Sequence, residues 1–221
     1  MRYAEDHDVA AILTTGDNFY SDDAEFLMEP YSWSEETGIP WWITWGNHDI
    51  DSEQRIEAVN QVFDDPPRWT AHRWGGIDVV SLDSTQVDSE EQDEFLEEEL
   101  SESTNQTIVV FHHPRYTCGT YSDTDSVDRW VSQFDDDVVL VLNGHEHSYQ
   151  RFEVDDVIYT VTGGGGAALT DLVACPDGHP DRDAGESVHH FLALTQGDEG
   201  LTLTAIDVNG DVIDEFSLAL P

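Results

Sequence analysis

The sequence predicts an α/β domain built from mixed sheets with helices outside. Three observations carry that prediction. Over the first 150 residues, short apolar runs alternate with acidic amphipathic stretches, the pattern of strands separated by helices. Beyond that point the runs are joined by turn signals such as Asn209-Gly210, a mark of hairpins. Hydrophobic residues make up 38% of the chain, with seven Trp and nine Phe, which supplies a core and argues against a disordered acidic segment. There is no internal repeat and no Pro- or Ser-rich linker, so the 221 residues read as one domain over 1–221.

Taken in order, residues 9–14, 41–44, 77–82, 107–111 and 138–142 are apolar enough for strands buried on both faces. Ser89-Glu90-Glu91-Gln92 reads as a capping box, opening a helix that places Phe95, Leu96, Glu99 and Leu100 on one side. Nine of the 15 residues from Asp88 to Glu102 are acidic, and they read as a solvated helix face rather than a metal site. Residues 157–161, 188–194, 201–206 and 212–218 are further strands, and the segment 157–219 is expected to be antiparallel. Cys118 and Cys175 are too few for a disulfide framework and read more readily as unpaired thiols than as a bridge.

Charge excludes whole classes of function. With 48 acidic and 8 basic residues the formal charge is −40, a field that repels nucleic acid. All eight basic residues are Arg, and without lysine there can be no P-loop lysine, Schiff base or Ser-Lys dyad. Self-repulsion of this size is relieved by screening, whose range falls to about 3 Å at 1 M salt, so the composition predicts a protein adapted to a high-salt environment. No apolar run approaches the roughly 18 residues of a spanning helix, so no membrane partner is expected. The first residues of the chain as given lack the apolar core of a secretory signal. Nothing in the sequence specifies an oligomeric state.

The chemistry lies directly after four of the strands: Gly16-Asp17-Asn18-Phe19-Tyr20, Gly46-Asn47-His48-Asp49, His112-His113-Pro114 and Gly144-His145-Glu146-His147. In α/β folds the carboxyl ends of strands are where ligands bind, so four such ends converge if their strands are neighbours. The residue types fit two cations. Asp17 can bridge through its carboxylate, Asn47 offers a neutral amide oxygen, and His145 and His147, two apart in extended backbone, point to one side and can each serve a different ion. His113 is a possible substrate contact. Other candidates carry blander readings: Gly163-Gly164-Gly165-Gly166 as a tight turn near the site, Asp177, Asp181 and Asp183 as an acidic loop, and His189 and His190 as ordinary strand residues. Cys118 lacks the Cys-x5-Arg phosphatase signature.

As an ordered set, Gly16-Asp17-x-x-Tyr20, Gly46-Asn47-His48-Asp49, Val109-Val110-Phe111-His112-x-Pro114 and Gly144-His145-x-His147-x-Tyr149-x-Arg151 resemble the motif series of the calcineurin-like metallophosphoesterases. The Tyr three residues after the Asp is similar to the purple acid phosphatase branch. The resemblance implies a four-layer α/β/β/α sandwich of two mixed sheets with a dinuclear centre at the sheet edge. It implies that Asp17 bridges both metals. Tyr20 and His147 would hold the first, Fe(III), and Asn47, His112 and His145 the second, which is Zn(II), Mn(II) or Fe(II). It implies that His48 is catalytic, donating a proton or steadying phosphate while a metal-bound hydroxide cleaves a small phosphomonoester. Phosphodiesterase or nucleotidase activity of the same superfamily is the alternative within the class. The family also begins with a strand carrying a further Asp ligand, whereas Met1 falls in what reads as the helix after that strand. From this follows a third expectation, a non-catalytic chain with an incomplete metal site.

Overall fold

The computed structural model describes residues 2–20, 31, 37–198 and 200–219. Its centre is a seven-stranded mixed sheet. In chain order the strands of the molecule are β1 (Ile12–Leu13), β2 (Trp41–Trp42), β3 (Thr70–Trp74), β4 (Ile77–Ser81), β5 (Gln106–Val110), β6 (Val138–Asn143), β7 (Tyr149–Val154), β8 (Val157–Thr162), β9 (Arg182–Glu186), β10 (His190–Gly197), β11 (Gly200–Asp207) and β12 (Val212–Leu218). The large sheet runs β3-β4-β5-β6-β8-β7-β9. Its four central strands β4, β5, β6 and β8 are mutually parallel, which is why they read as unbroken apolar runs. The expectation that everything from residue 157 is antiparallel therefore fails at β8, which is antiparallel only to β7.

Side chains alternate between two cores. Ile77, Val79, Ile108, Val110, Leu140, Leu142 and Ile158 face one way, onto Leu201 and Leu203 of β11 and onto Leu13 and Trp42. Val80, Val109, Val141, Val157 and Tyr159 face the other way, onto Leu96, Leu100 and Trp130. The large sheet is thus sandwiched between a helical layer and a second β-layer, the architecture expected. The second layer is in two pieces: an antiparallel meander β10-β11-β12 and a parallel pair β1-β2. The helix α1 (Arg2–Asp6) touches that meander through the Tyr3 ring on Phe191, centroids 5.1 Å apart.

Two local expectations are corrected. The strand expected over 9–14 pairs only at β1, although Thr14 N–H still donates to the Trp42 carbonyl at 3.0 Å. In the helix over Glu90–Glu102, Ser89 does cap, accepting from Gln92 N–H, but the Gln92 side chain does not reach back to the cap. It is fully buried, accepting from Asp83 N–H and donating to the carbonyls of Asp83 and Gln86, so it fastens the helix to the end of β4. A second helix, Glu53–Phe63, capped by Ser52, covers a small core of Phe19, Trp45, Ala58 and Val59. The cysteines are also not free: Cys118 and Cys175 are joined in a disulfide. Among the described residues, no helix is long and apolar enough to cross a membrane.

Candidate metal centre

The carboxyl ends of β1, β2, β5 and β6 meet at one edge of the sandwich, and each delivers a polar loop there. After β1 the chain turns through Gly16 at φ +88° and Asp17 at φ +54°. Only glycine fits the first position, since a Cβ there would lie 2.5 Å from His112 Nδ1. A left-handed aspartate costs about 1 kcal/mol or more, strain of the kind that gathers at functional sites. His145, after β6, is left-handed too, at φ +66°. The extended backbone expected across His145-Glu146-His147 is therefore absent, and the two imidazoles part company.

One group of donors contains Asn47 Oδ1, His112 Nε2 and His145 Nδ1. Asn47 Oδ1 lies 3.1 Å from each imidazole nitrogen, and those nitrogens are 3.2 Å apart. A second group contains the Tyr20 hydroxyl and His147 Nε2, 2.8 Å apart. Asp17 Oδ2 belongs to both, at 3.2 Å from His112 Nε2 and 3.1 Å from the Tyr20 hydroxyl. The fit to cations rests on the tautomers. His112 Nδ1 donates to the Thr15 carbonyl at 2.8 Å, and His147 Nδ1 to the Ala168 carbonyl at 2.7 Å. Each imidazole therefore turns the lone pair of Nε2 into the site, where it meets oxygens that also accept. Converging lone pairs on two imidazoles, an amide and a carboxylate suit divalent or trivalent metal ions.

Burial alone would raise the pKa of Asp17, but the bond and charge that His112 supplies when its Nε2 carries a proton in place of a metal ion, together with His48 N–H, outweigh it and hold the carboxyl well below its usual range. Burial, reinforced by the charge of His112, pushes His145 down to about 4. Burial pushes Tyr20 well above its ordinary value, with the Asp17 charge adding to it. His113 sits against the same cluster: a nitrogen from each of His112, His113 and His145 lies within 4.8 Å of the others. Its ring is tied to Ser84 Oγ at 2.8 Å, and burial lowers its pKa to about 3.

His48 stands to one side, half-exposed, its ring 4.5 Å from that of Tyr20. Its Nδ1 donates to Asp51 Oδ2 at 2.9 Å, and Arg55 donates to the same oxygen. The seven residues singled out in the sequence as ligands or as the catalytic histidine thus share one edge, with His113 beside them.

Several supporting groups are invisible in the sequence. Asp49 is buried, accepts from Gly46 N–H, Asn18 Nδ2 and Phe19 N–H, and so ties the first motif loop to the second. Burial pushes it up to about 6, against those bonds. Glu146 is likewise buried and accepts from the backbone N–H groups of Thr120 and Tyr121, at 2.6 and 2.9 Å. Nothing in a Gly-His-Glu-His run distinguishes a buried carboxylate from a solvated one.

Comparison with known proteins places these features in context. The family model for calcineurin-like phosphoesterases matches residues 1–149. Purple acid phosphatase 3 of Arabidopsis thaliana is 23% identical over 203 residues, covering 72% of this chain and 55% of the relative. The chain thus spans about half the length of that curated relative. Among solved structures, GAP50, the anchor in the inner membrane complex of Plasmodium, aligns over 100% of this chain and 81% of its own, at 16% identity and a TM-score of 0.75. Purple acid phosphatase PPD1 from yellow lupin (Lupinus luteus) seeds aligns over 96% of this chain and 47% of its own, at 17% identity and the same TM-score. At these identities the solved structures speak to the fold alone.

Proposed function

Because the chain belongs to the calcineurin-like phosphoesterase family, we propose that it hydrolyses small phosphomonoesters at a centre of two metal ions held by Asp17, Tyr20, Asn47, His112, His145 and His147. The observation that carries this reading is Asp17 Oδ2, one oxygen within 3.2 Å of both donor groups. When bound, a metal pair neutralises phosphoryl oxygens and lowers the pKa of water. The protein's own residues do the rest. The Thr15 and Ala168 carbonyls fix the His112 and His147 tautomers, so both rings meet the centre with a lone pair and without reorientation. Asp49 holds the loops of Asp17 and Asn47 in register. Asp51 orients the His48 ring by accepting from Nδ1, so Nε2 is the nitrogen through which the imidazolium form would pass a proton to the departing alkoxide.

The first metal is proposed to be Fe(III), matched to the hard phenolate of Tyr20, and the second Zn(II), Mn(II) or Fe(II). Metal analysis and a p-nitrophenyl phosphate assay test the reading together. The expected result is two metal equivalents per chain, a visible charge-transfer band lost in Tyr20→Phe, and loss of both ions in Asp17→Asn. His48→Ala is expected to keep both ions while kcat falls about 100-fold or more, the usual contribution of a general acid. Retention of both ions by Asp17→Asn, or metal loss in His48→Ala equal to that in a ligand variant, would overturn the assignment.

A further inference from the structure

Beside the donor groups stands an aromatic ring for which the fold has no evident use. Tyr121 is 46% exposed, one of few large apolar side chains so open among the described residues. Its ring lies against His145, centroids 4.5 Å apart and planes tilted by 35°. Its loop is nonetheless fastened at every step. Thr117 N–H donates to Asp123, Cys118 N–H to the buried side chain of Gln150, and Thr120 and Tyr121 N–H to the buried carboxylate of Glu146. The Cys118–Cys175 disulfide ties the same loop to residue 175. All these bonds are made by backbone or by other side chains, so they would hold any residue at 121. What they fix is the backbone beneath a ring that lies against His145 and leaves nearly half of the residue open to solvent.

The chain also offers little cationic help to a substrate. The Arg55 guanidinium near His48 is shared with Asp51, and the net charge of −40 disfavours leaving groups that bring further anions. A neutral planar ring would suffer no such penalty, and stacking is indifferent to its identity because every such ring has a π-face.

We propose that Tyr121 is a specificity-determining residue, a preformed stacking platform that selects phosphomonoesters whose alcohol carries a planar aromatic ring. The inference rests on the phosphomonoesterase reading and names the substrate class of that same site. Both nucleoside monophosphates and arylmethyl phosphates present this chemistry, and the substrate pairs below tell them apart.

The test compares esters with the same kind of leaving alkoxide and with or without the ring: adenosine 5′-monophosphate against ribose 5-phosphate, and benzyl phosphate against cyclohexylmethyl phosphate. Each is measured as kcat/KM and, by calorimetric titration of the metal-loaded protein, as Kd. The wild type is expected to favour the ring-bearing member of at least one pair by roughly 5- to 100-fold, the usual worth of one stacked base. Tyr121→Ala should bring that ratio to about one by raising KM and Kd for the ring-bearing ester alone, while Tyr121→Phe keeps it. A preference confined to the first pair identifies a nucleoside ligand, and one confined to the second an arylmethyl ligand. Metal content is expected to be unchanged in both variants. A wild-type ratio near one in both pairs, a ratio that survives Tyr121→Ala, or an equal loss on both members of a pair would overturn the proposal. If no ester is turned over, the phosphomonoesterase reading fails, and the Kd ratios still decide whether Tyr121 selects rings.

Discussion

At the residue level, the donor cluster was legible because its loops directly follow apolar strands. A lone His or Asp carries no such signal. Asp17, Asn47, His112, His145 and His147 could be picked out by position and type before any geometry was known. Their buried supports could not be recognised as such, since the runs that contain Asp49 and Glu146 do not say which of their acids are buried. His190 shows how a residue read as ordinary still has a defined job. Its Nδ1 donates to the Val188 carbonyl at 2.9 Å and its Nε2 meets the Thr162 hydroxyl at 3.0 Å, so the neutral ring is fully paired in its buried place. Burial lowers its pKa from the usual value near 6.5. Below that value the unfolded chain therefore binds a proton that the native chain resists, and stability is lost as pH falls from about 6.5 towards the depressed native value. His190→Gln removes the titration and keeps the donor and acceptor. In constant molar salt, wild type should lose more unfolding free energy between pH 8 and pH 5 than the variant does. Parallel curves would show that His190 does not contribute.

Among the elements, legibility followed burial on both faces. The central strands 77–81, 106–110 and 138–143 were read nearly to the residue, because parallel strands leave no polar face to blur them. The edge strands β3 and β9 went unread, and so did β7, whose Tyr-Gln-Arg-Phe-Glu-Val run mixes polar with apolar residues although it lies inside the sheet. Arg182-Asp183-Ala184-Gly185-Glu186 has no apolar face, and β3 announces itself only through alternation and through the Gly75-Gly76 turn, both at positive φ. The helix over Glu90–Glu102 was found from its cap, yet the role of Gln92 was misassigned, because a capping-box glutamine and a buried tertiary one have the same sequence signature. Their energetics differ. Ser89→Ala removes one exposed cap and should cost about 1 kcal/mol. Gln92→Ala strands the buried N–H of Asp83 and empties volume, and should cost about 2–4 kcal/mol in denaturant unfolding. Equal costs for the two would return Gln92 to the cap.

For the molecule as a whole, mixed sheets with outer helices were legible from the alternation of strands and helices and the sandwich was implied by the motif resemblance, but the split second layer was in neither, since the sequence records strands and not which of them pair. Nor was the disulfide. Cys118 and Cys175 are 57 residues apart, and only the fold brings their loops together. Charge acts on the molecule as a unit. Arg55, Arg68, Arg73, Arg115, Arg129 and Arg151 are each within 4.0 Å of a carboxylate, so six of the eight cations are already matched and the large excess of acids over cations is left to screening by salt. The melting temperature should therefore rise steadily between about 0.1 M and 3 M KCl, and a flat profile would remove the case for a high-salt protein. The donor cluster has a kinetic corollary as well. Asp17, Asn47, His112 and His145 come from loops far apart in the chain, Asn47 and His145 being separated by 98 residues. Such a cluster closes only when the loops between its members are already ordered, so it belongs to the last step of assembly and not to the nucleus. Bound metal should then act as a clasp on the finished molecule: stripping it with a chelator quickens unfolding and leaves the refolding rate unchanged. A chelator that slowed refolding by the same factor would place the cluster in the folding nucleus instead.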